Sequence, residues 1–357
     1  MSDQPATVAL ALQGGGSHGA FTWGVLDRLL DEVEAGRLRF SAISGTSAGA
    51  FNAALTATGL AQGGAAAARQ NLHDFWTMVA RRGFQLGNGL FFPEPSPFGG
   101  FNLDLSPLSV ALEAVGLVVS PYTNPFYTDA LAPLVDKAFP PQALQALNAA
   151  EAPRLFITAT DVRTNARTIF TQPDISAATL RASAALPTAF KAVTVNGVPY
   201  WDGGYLGNPA LSPLLAHAQD LLMVLIIPFD RPDMPPHLAP AILDRLREIT
   251  FNASVVLELN AIQAINSLLE ELAQSGIAYA GRYKPIRLHA IRDDPFLSTF
   301  GFASTNSTSW DLLSRLRAAG HQAAERWLAA NAPAIGVRSS MDAKAMLDRV
   351  LKAPPPR

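Results

Sequence analysis

Gly45-Thr46-Ser47-Ala48-Gly49 lies between a short apolar run, Phe40-Ser41-Ala42-Ile43, and an Ala-rich stretch, Ala50-Phe51-Asn52-Ala53-Ala54-Leu55. A serine with a glycine two residues to either side, at a strand-to-helix junction, has the pattern of a nucleophile on a tight turn. The helix that follows would aim its N-terminal N–H groups at the reacting centre. Gly14-Gly15-Gly16-Ser17-His18-Gly19 is a second candidate. Consecutive glycines before a helix gather backbone N–H groups around one point, which suits an anion. Asp202-Gly203-Gly204 is a third, a carboxylate followed by two residues that let another backbone come close. Ser47 is thus the candidate nucleophile, Gly14, Gly15 and Gly16 an oxyanion cradle, and Asp202 a carboxylate that could stand beside a serine. Gly19, Gly45, Gly49, Gly203 and Gly204 are the small residues that allow these pieces to meet.

Strands and helices must bring such distant parts together. Thr7-Val8-Ala9-Leu10-Ala11-Leu12 reads as the strand feeding the glycine run, with a helix from about Ala20 to Glu34 behind it. Asn196-Gly197 marks a hairpin that joins Ala192-Val193-Thr194-Val195 to Val198-Pro199-Tyr200-Trp201 and delivers Asp202. A second helix after the Ser47 corner is expected through Ala65–Arg81, and a strand over Arg154–Thr160. A strongly apolar strand is expected over Leu221–Ile227. A long helix follows from about Leu238 to Ala273, with Val255, Leu259, Ile262, Ile265 and Leu269 at helical spacing. A late strand over Pro285–Ile291 and a helix around Trp310–Ala330 complete an α/β alternation.

A glycine-rich loop, then G-x-S-x-G, then D-G-G is an order that resembles the patatin-like phospholipase family. Ala159-Thr160-Asp161 and Ala182-Ser183-Ala184-Ala185-Leu186-Pro187 are similar to that family's connecting segments, and the resemblance runs from about Val8 to Ile227. It implies a three-layer α/β/α fold around a central, mostly parallel sheet, and a catalytic dyad of Ser47 and Asp202. It also implies an oxyanion hole made by the glycine-loop amides around Gly15 and Gly16. The activity implied is that of a bacterial lipid acyl hydrolase, of phospholipase A or carboxylesterase type, acting through an acyl-enzyme. His18 departs from the pattern, because the family usually carries Arg or Lys there.

The expected domain spans 7–350, after an extension of residues 1–6 and before a disordered tail, 351–357. Within it stand a lid-like insertion over about 83–127 and a C-terminal helical region over about 236–350. The insertion carries Phe91, Phe92, Phe98, Phe101 and Phe126 and no Lys or Arg, as an apolar lid or acyl-chain entrance would. Mean hydropathy is positive at +0.16, yet no apolar run reaches the roughly 18 residues a membrane span needs. The first residues show no basic and apolar signal segment. Zero cysteines exclude disulfides and thiolate chemistry and suit a reducing compartment. The reading is a cytoplasmic protein whose peripheral contact with the inner membrane face stays open. A formal charge of −2 without a Lys/Arg cluster leaves no footprint for nucleic acid. No His/Asp/Glu cluster has metal-ligand spacing, so neither metal nor organic cofactor is expected. Oligomeric state is not readable.

Rival readings remain at this point. Gly14-x-Gly16-x-x-Gly19 after a strand is formally a dinucleotide fingerprint, but the second strand ends in Gly45-Thr46-Ser47 without an acid for the ribose. A non-catalytic membrane- or partner-binding module on the same fold is the other. A Ser-His-Asp triad is available in chain order through His217, His237, His289 or His321, of which His289 on the late strand is the best placed. A strand histidine with a satisfied hydrogen bond is the plainer role for it.

Overall fold

The computed structural model describes residues 4–85, 120–229, 231, 237 and 239–351. Its first strand, β1 (Ala6–Leu12), ends at the glycine run. A 3-10 turn over Gly16–His18 then leads into α1 (Gly19–Glu34). β2 (Leu38–Gly45) lies parallel to β1 and carries the Ser47 corner into α2 (Ala48–Gln85). Gly63 and Gly64 break α2 with non-helical dihedrals, so it is two arms, 48–62 and 65–85. The first arm folds tightly on the second: a Cβ on Gly59 would stand 2.3 Å from the backbone of Ala68.

Two short helices, α3 (Leu131–Ala138) and α4 (Pro141–Leu147), precede β3 (Arg154–Asp161), which adds parallel to β2. The chain then turns antiparallel. β4 (Ala166–Phe170) pairs with β3, α5 (Ala177–Ser183) crosses over, and β5 (Val193–Val195) and β6 (Val198–Asp202) form the expected hairpin. Asn196 and Gly197 both have positive φ at its turn. β7 (Asp220–Val224) returns to the far side of β1, and α6 (Ala239–Gln274), β8 (Arg287–Ile291), α7 (Trp310–Asn331) and α8 (Ala343–Leu351) follow. The sheet order is β5-β6-β3-β2-β1-β7-β8, with a parallel run from β3 to β8.

Period-2 alternation along β1 shows the layers. Val8, Leu10 and Leu12 enter a core with α1, α2 and α7, while Ala9 and Ala11 face Val255 and Leu259 of α6 and Met346 of α8. The protein is therefore a three-layer α/β/α sandwich around a mostly parallel sheet. β7 stops at Val224 rather than running to Ile227, because the N–H groups of Ile226 and Ile227 turn to the side chain of Gln13. Among the described residues no helix is long and apolar enough to cross a membrane. Most of the expected lid-like insertion, residues 86–119, lies outside the described residues, as does the tail beyond Leu351.

Candidate active site

β2 runs to Gly45 and α2 starts at Ala48, so Thr46 and Ser47 alone make the corner. Ser47 has φ +54°, a left-handed conformation that costs an L-residue about 1–2 kcal/mol. The glycines around it are required by close approach. A Cβ on Gly45 would stand 2.4 Å from the Gly49 carbonyl oxygen, and one on Gly49 would stand 2.2 Å from that of Leu12. Two side-chain bonds hold the strained corner: Ser47 N–H donates to Ser183 Oγ at 3.0 Å, and Thr46 Oγ1 donates to the Gly207 carbonyl at 2.6 Å. Strain fixed from several sides in this way is typical of functional positions.

Asp202 ends β6 and is fully buried. Its Oδ1 accepts the Gly204 N–H at 2.7 Å. Burial pushes the carboxyl pKa up to about 7, against the smaller downward pulls of the Gly204 N–H and the Ser47 hydroxyl. Oδ2 has no hydrogen-bond partner among the described residues, and the Ser47 hydroxyl is near enough to pull the carboxyl pKa down. Gly203 closes the corner against β3, where a Cβ would meet the Thr158 carbonyl at 2.2 Å.

The glycine run splits into two parts. Gly14 N–H donates to Asn208 Oδ1 at 2.7 Å, which removes Gly14 from the expected trio of anion donors. Gly15 and Gly16 N–H groups find no acceptor among the described residues, and both line a cavity with Ser47. Gly16 has φ +57°, and a Cβ there would sit 2.3 Å from the Thr305 carbonyl. Behind the run lies a buried amide network. Gln13 Oε1 accepts from Ile226 and Ile227 N–H at 2.7 and 2.9 Å, and Gln13 Nε2 donates to Asn252 Oδ1 at 2.9 Å. Asn208 Nδ2 returns a bond to the Gly14 carbonyl at 3.2 Å. Gln13, Asn208 and Asn252 thus clamp the glycine run to the end of β7 and to α6. Nothing local in the sequence marks them, since the partners are 195 and 239 positions apart.

The cavity at Ser47 holds about 30 Å³, room for a water or two rather than an acyl chain. Leu186, Ile226, Ile227 and Phe251 make its walls apolar, and Arg231 and Glu248 supply the charge. Larger spaces of about 550 and 520 Å³ lie beside α2 and at the amino ends of β2 and β3, away from Ser47. His18 also lines the Ser47 cavity and is neutral: burial, then the nearby Arg231 guanidinium, lowers its pKa to about 4. Ser304 Oγ donates to the Gly301 carbonyl at 2.5 Å, so at 2.7 Å His18 Nε2 is the donor to Ser304 Oγ. The local cation is Arg231, ion-paired with Glu248 at 2.5 Å and bonded to the Ser298 and Phe300 carbonyls.

His18 is the one histidine that lines the Ser47 cavity among the described residues; His217, His237, His289 and His321 do not. His289 is fully buried, with Nε2 at 3.0 Å from Asp220 Oδ1 and Nδ1 at 2.8 Å from Ser340 Oγ. Asp220 opens β7, at the opposite end of the sheet from the Ser47 corner, so His289 is a satisfied core residue. His217 borders the cavity at that same opposite end, and His73 is on the helix surface beside Asp74.

The model of the family described as patatin-like phospholipase matches residues 10–215, more than half of the chain. The chain belongs to the patatin-like phospholipase family. Its glycine run, Ser47 corner and Asp202 all fall inside the patatin-like stretch, whereas β7, α6, β8, α7 and α8 follow it. No curated protein matches the chain. Among solved structures it is similar to VipD from Legionella pneumophila, at 14% identity over 88% of this chain and 67% of that one, with a TM-score of 0.36. It is also similar to the structure of full-length SpcU in complex with full-length ExoU from the type III secretion system of Pseudomonas aeruginosa. There the identity is 15% over 92% of this chain, which spans 54% of the other, with a TM-score of 0.32.

Proposed function

We propose that this patatin-like protein hydrolyses fatty-acyl esters of lipids through an acyl-enzyme on Ser47, with Asp202 as its base. The observation that carries the reading is the pairing of a serine held at φ +54° with a fully buried carboxyl whose pKa is about 7. A base is most useful when its pKa lies near the working pH. Asp202 takes the proton from Ser47 Oγ as the oxygen attacks the ester carbon. The Gly15 and Gly16 N–H groups hold the resulting oxyanion. Collapse expels the alcohol, which Asp202 protonates. Water then attacks the acyl-enzyme, giving a proton to Asp202, and collapse releases the fatty acid as Asp202 returns that proton to Ser47 Oγ. Asp202 Oδ2, without a partner among the described residues in the resting site, is open to that proton, since catalytic hydrogen bonds commonly tighten in the substrate complex.

Apolar walls favour an acyl chain, and the small cavity requires a wall to move before one enters. The test is hydrolysis of a lipid panel followed by mass spectrometry, with Ser47→Ala beside the wild type. Release of fatty acid by the wild type and none by folded Ser47→Ala is expected. Equal release by both would refute the nucleophile, and no release of fatty acid from any ester would refute the substrate class.

A further inference from the structure

α6 is long, and its outer face is unusual. From Ile242 to Leu268 the exposed residues are Ile242, Leu246, Ile249, Thr250, Ala253, Leu257, Asn260, Ala261, Ala264, Ser267 and Leu268, with no charge among them. They recur at intervals of three and four, so they form one stripe, about 40 Å long at 1.5 Å per residue. Charges are present in this stretch but are ion-paired, and none is fully exposed. Asp244 pairs with Arg247, Glu248 with Arg231 and Arg245, and Glu258 with Arg167. Past exposed Glu270 and Glu271, which close the stripe, the chain reaches exposed Ile277, Tyr279 and Tyr283, beside Arg282 and Lys284. Arg282 stacks over the Tyr283 ring at 4.9 Å and donates to its hydroxyl at 2.8 Å. Eight of the 14 large hydrophobic residues exposed among the described residues lie between Ile242 and Tyr283.

We infer that this face of α6, with the Tyr279–Lys284 segment, is the surface by which the protein lies on a lipid layer. Two observations choose lipid over a second copy of the chain. An uncharged stripe over 242–268, bounded by Glu270 and Glu271 and followed by tyrosines with Arg and Lys, is the composition of an interfacial anchor, whose charges and rings sit at head-group level. The stripe is also continuous with the reaction site: Glu248 and Phe251, on the turns that carry Leu246 and Ile249, form the cavity wall at Ser47. Seating the stripe on lipid brings that wall to the layer. Packing a second copy there would cover the helix through which an ester of the layer reaches Ser47. This inference rests on the lipid-hydrolase reading above and names where the substrate is met.

Binding is measured apart from turnover by flotation of Ser47→Ala with phosphatidylcholine vesicles. The Ser47→Ala protein should float with the vesicles. Adding Leu246→Ser, Ile249→Ser and Leu257→Ser should lower the bound fraction at least about tenfold, since each removes apolar area from the contact. The same three changes in the wild-type background should leave turnover of a short, monomeric ester unchanged. Undiminished flotation of the triple variant, or no flotation of Ser47→Ala, overturns the inference. A dimer in solution that the triple variant dissolves, with vesicle binding intact, assigns the stripe to a second copy and overturns it too. Failure of the hydrolase reading looks different: short-ester turnover then survives Ser47→Ala, whatever the vesicles do.

Discussion

The chain up to Asn208 and the chain from β7 onward divide the site between them in different ways. The first part carries the atoms proposed to react: Ser47 on a strained corner, Asp202 at a strand end, and the Gly15 and Gly16 N–H groups. Beyond β7, the chain carries what surrounds them. Arg231, Glu248, Phe251, Gly301 and Thr305 wall the cavity, and Asn252 braces the glycine run through Gln13. The family match ends at residue 215, before these walls begin. Apart from His18 and Leu186, which also line the cavity, reaction and enclosure are thus separately encoded, and substitutions in the two regions should fail in different ways. Changes in the first region should abolish turnover, while changes in the second should redistribute it among substrates.

Asp202→Asn is the most severe expected break, a loss of about 10⁴ in kcat on a soluble ester, because the sole base is gone. It should also raise stability. The folded-state pKa of about 7 lies above the ordinary 3.8, so the folded protein binds more protons than the unfolded chain between those values. Stability therefore falls as pH rises through that window, by at most about 4 kcal/mol at 1.36 kcal/mol per pH unit. Removing the carboxyl should raise Tm more at pH 8 than at pH 5. Equal shifts at the two pH values would contradict the buried, raised carboxyl. Next in size is Gly16→Ala, where the positive φ and the Thr305 carbonyl leave no place for a methyl group. A loss of ~10²–10³ in kcat is expected, with KM little changed. A change confined to KM would place the loop in binding rather than in oxyanion stabilisation.

Phe251→Ala probes the other region. The ring is buried against Gly204 and the edge of Tyr205, and it walls the cavity at Ser47. Its loss should enlarge the cavity at a cost of about 3–5 kcal/mol in stability. Turnover of a short ester should change less than about tenfold, a minor barrier change beside that of a lost oxyanion donor. The ratio of long-chain to short-chain turnover should rise. An equal fall on both would erase the distinction between the regions. His289→Ala should have the smallest kinetic effect. It strips a partner from buried Asp220 and should lower Tm while leaving kcat near the wild-type value. A folded variant with kcat as low as that of Ser47→Ala would reinstate a triad.

The same division governs how much the sequence reveals. The Ser47 corner, the glycine run, the Asn196-Gly197 hairpin and the strand before Asp202 carry local signatures, because tight turns and close approaches restrict residue type. Periodicity shows α6 as a helix but is silent on its lengthwise use, with a buried face, a cavity wall and an uncharged outer stripe. β7 is overread to Ile227 because apolar residues continue while their N–H groups leave the sheet for Gln13. The amide network escapes notice for a related reason. Gln13, Asn208 and Asn252 are ordinary polar residues until the fold buries them together. Gly14 looks like Gly15 and Gly16 in sequence, and only the bond to Asn208 separates it from them.

The central claim is that Asp202 ionises near neutral pH and activates Ser47. A fluorophosphonate probe reads this directly, because it reacts with the activated serine before any question of lipid, lid or surface arises. Labelling rate should be followed from pH 5 to pH 9 in the wild type and in Asp202→Asn, with the modified residue located by mass spectrometry. The account predicts modification at Ser47 alone, a rate that rises with pH around a midpoint near 7, and no labelling in Asp202→Asn. Labelling of Ser47 at one rate across this range and undiminished in Asp202→Asn, or modification at another residue, would contradict it.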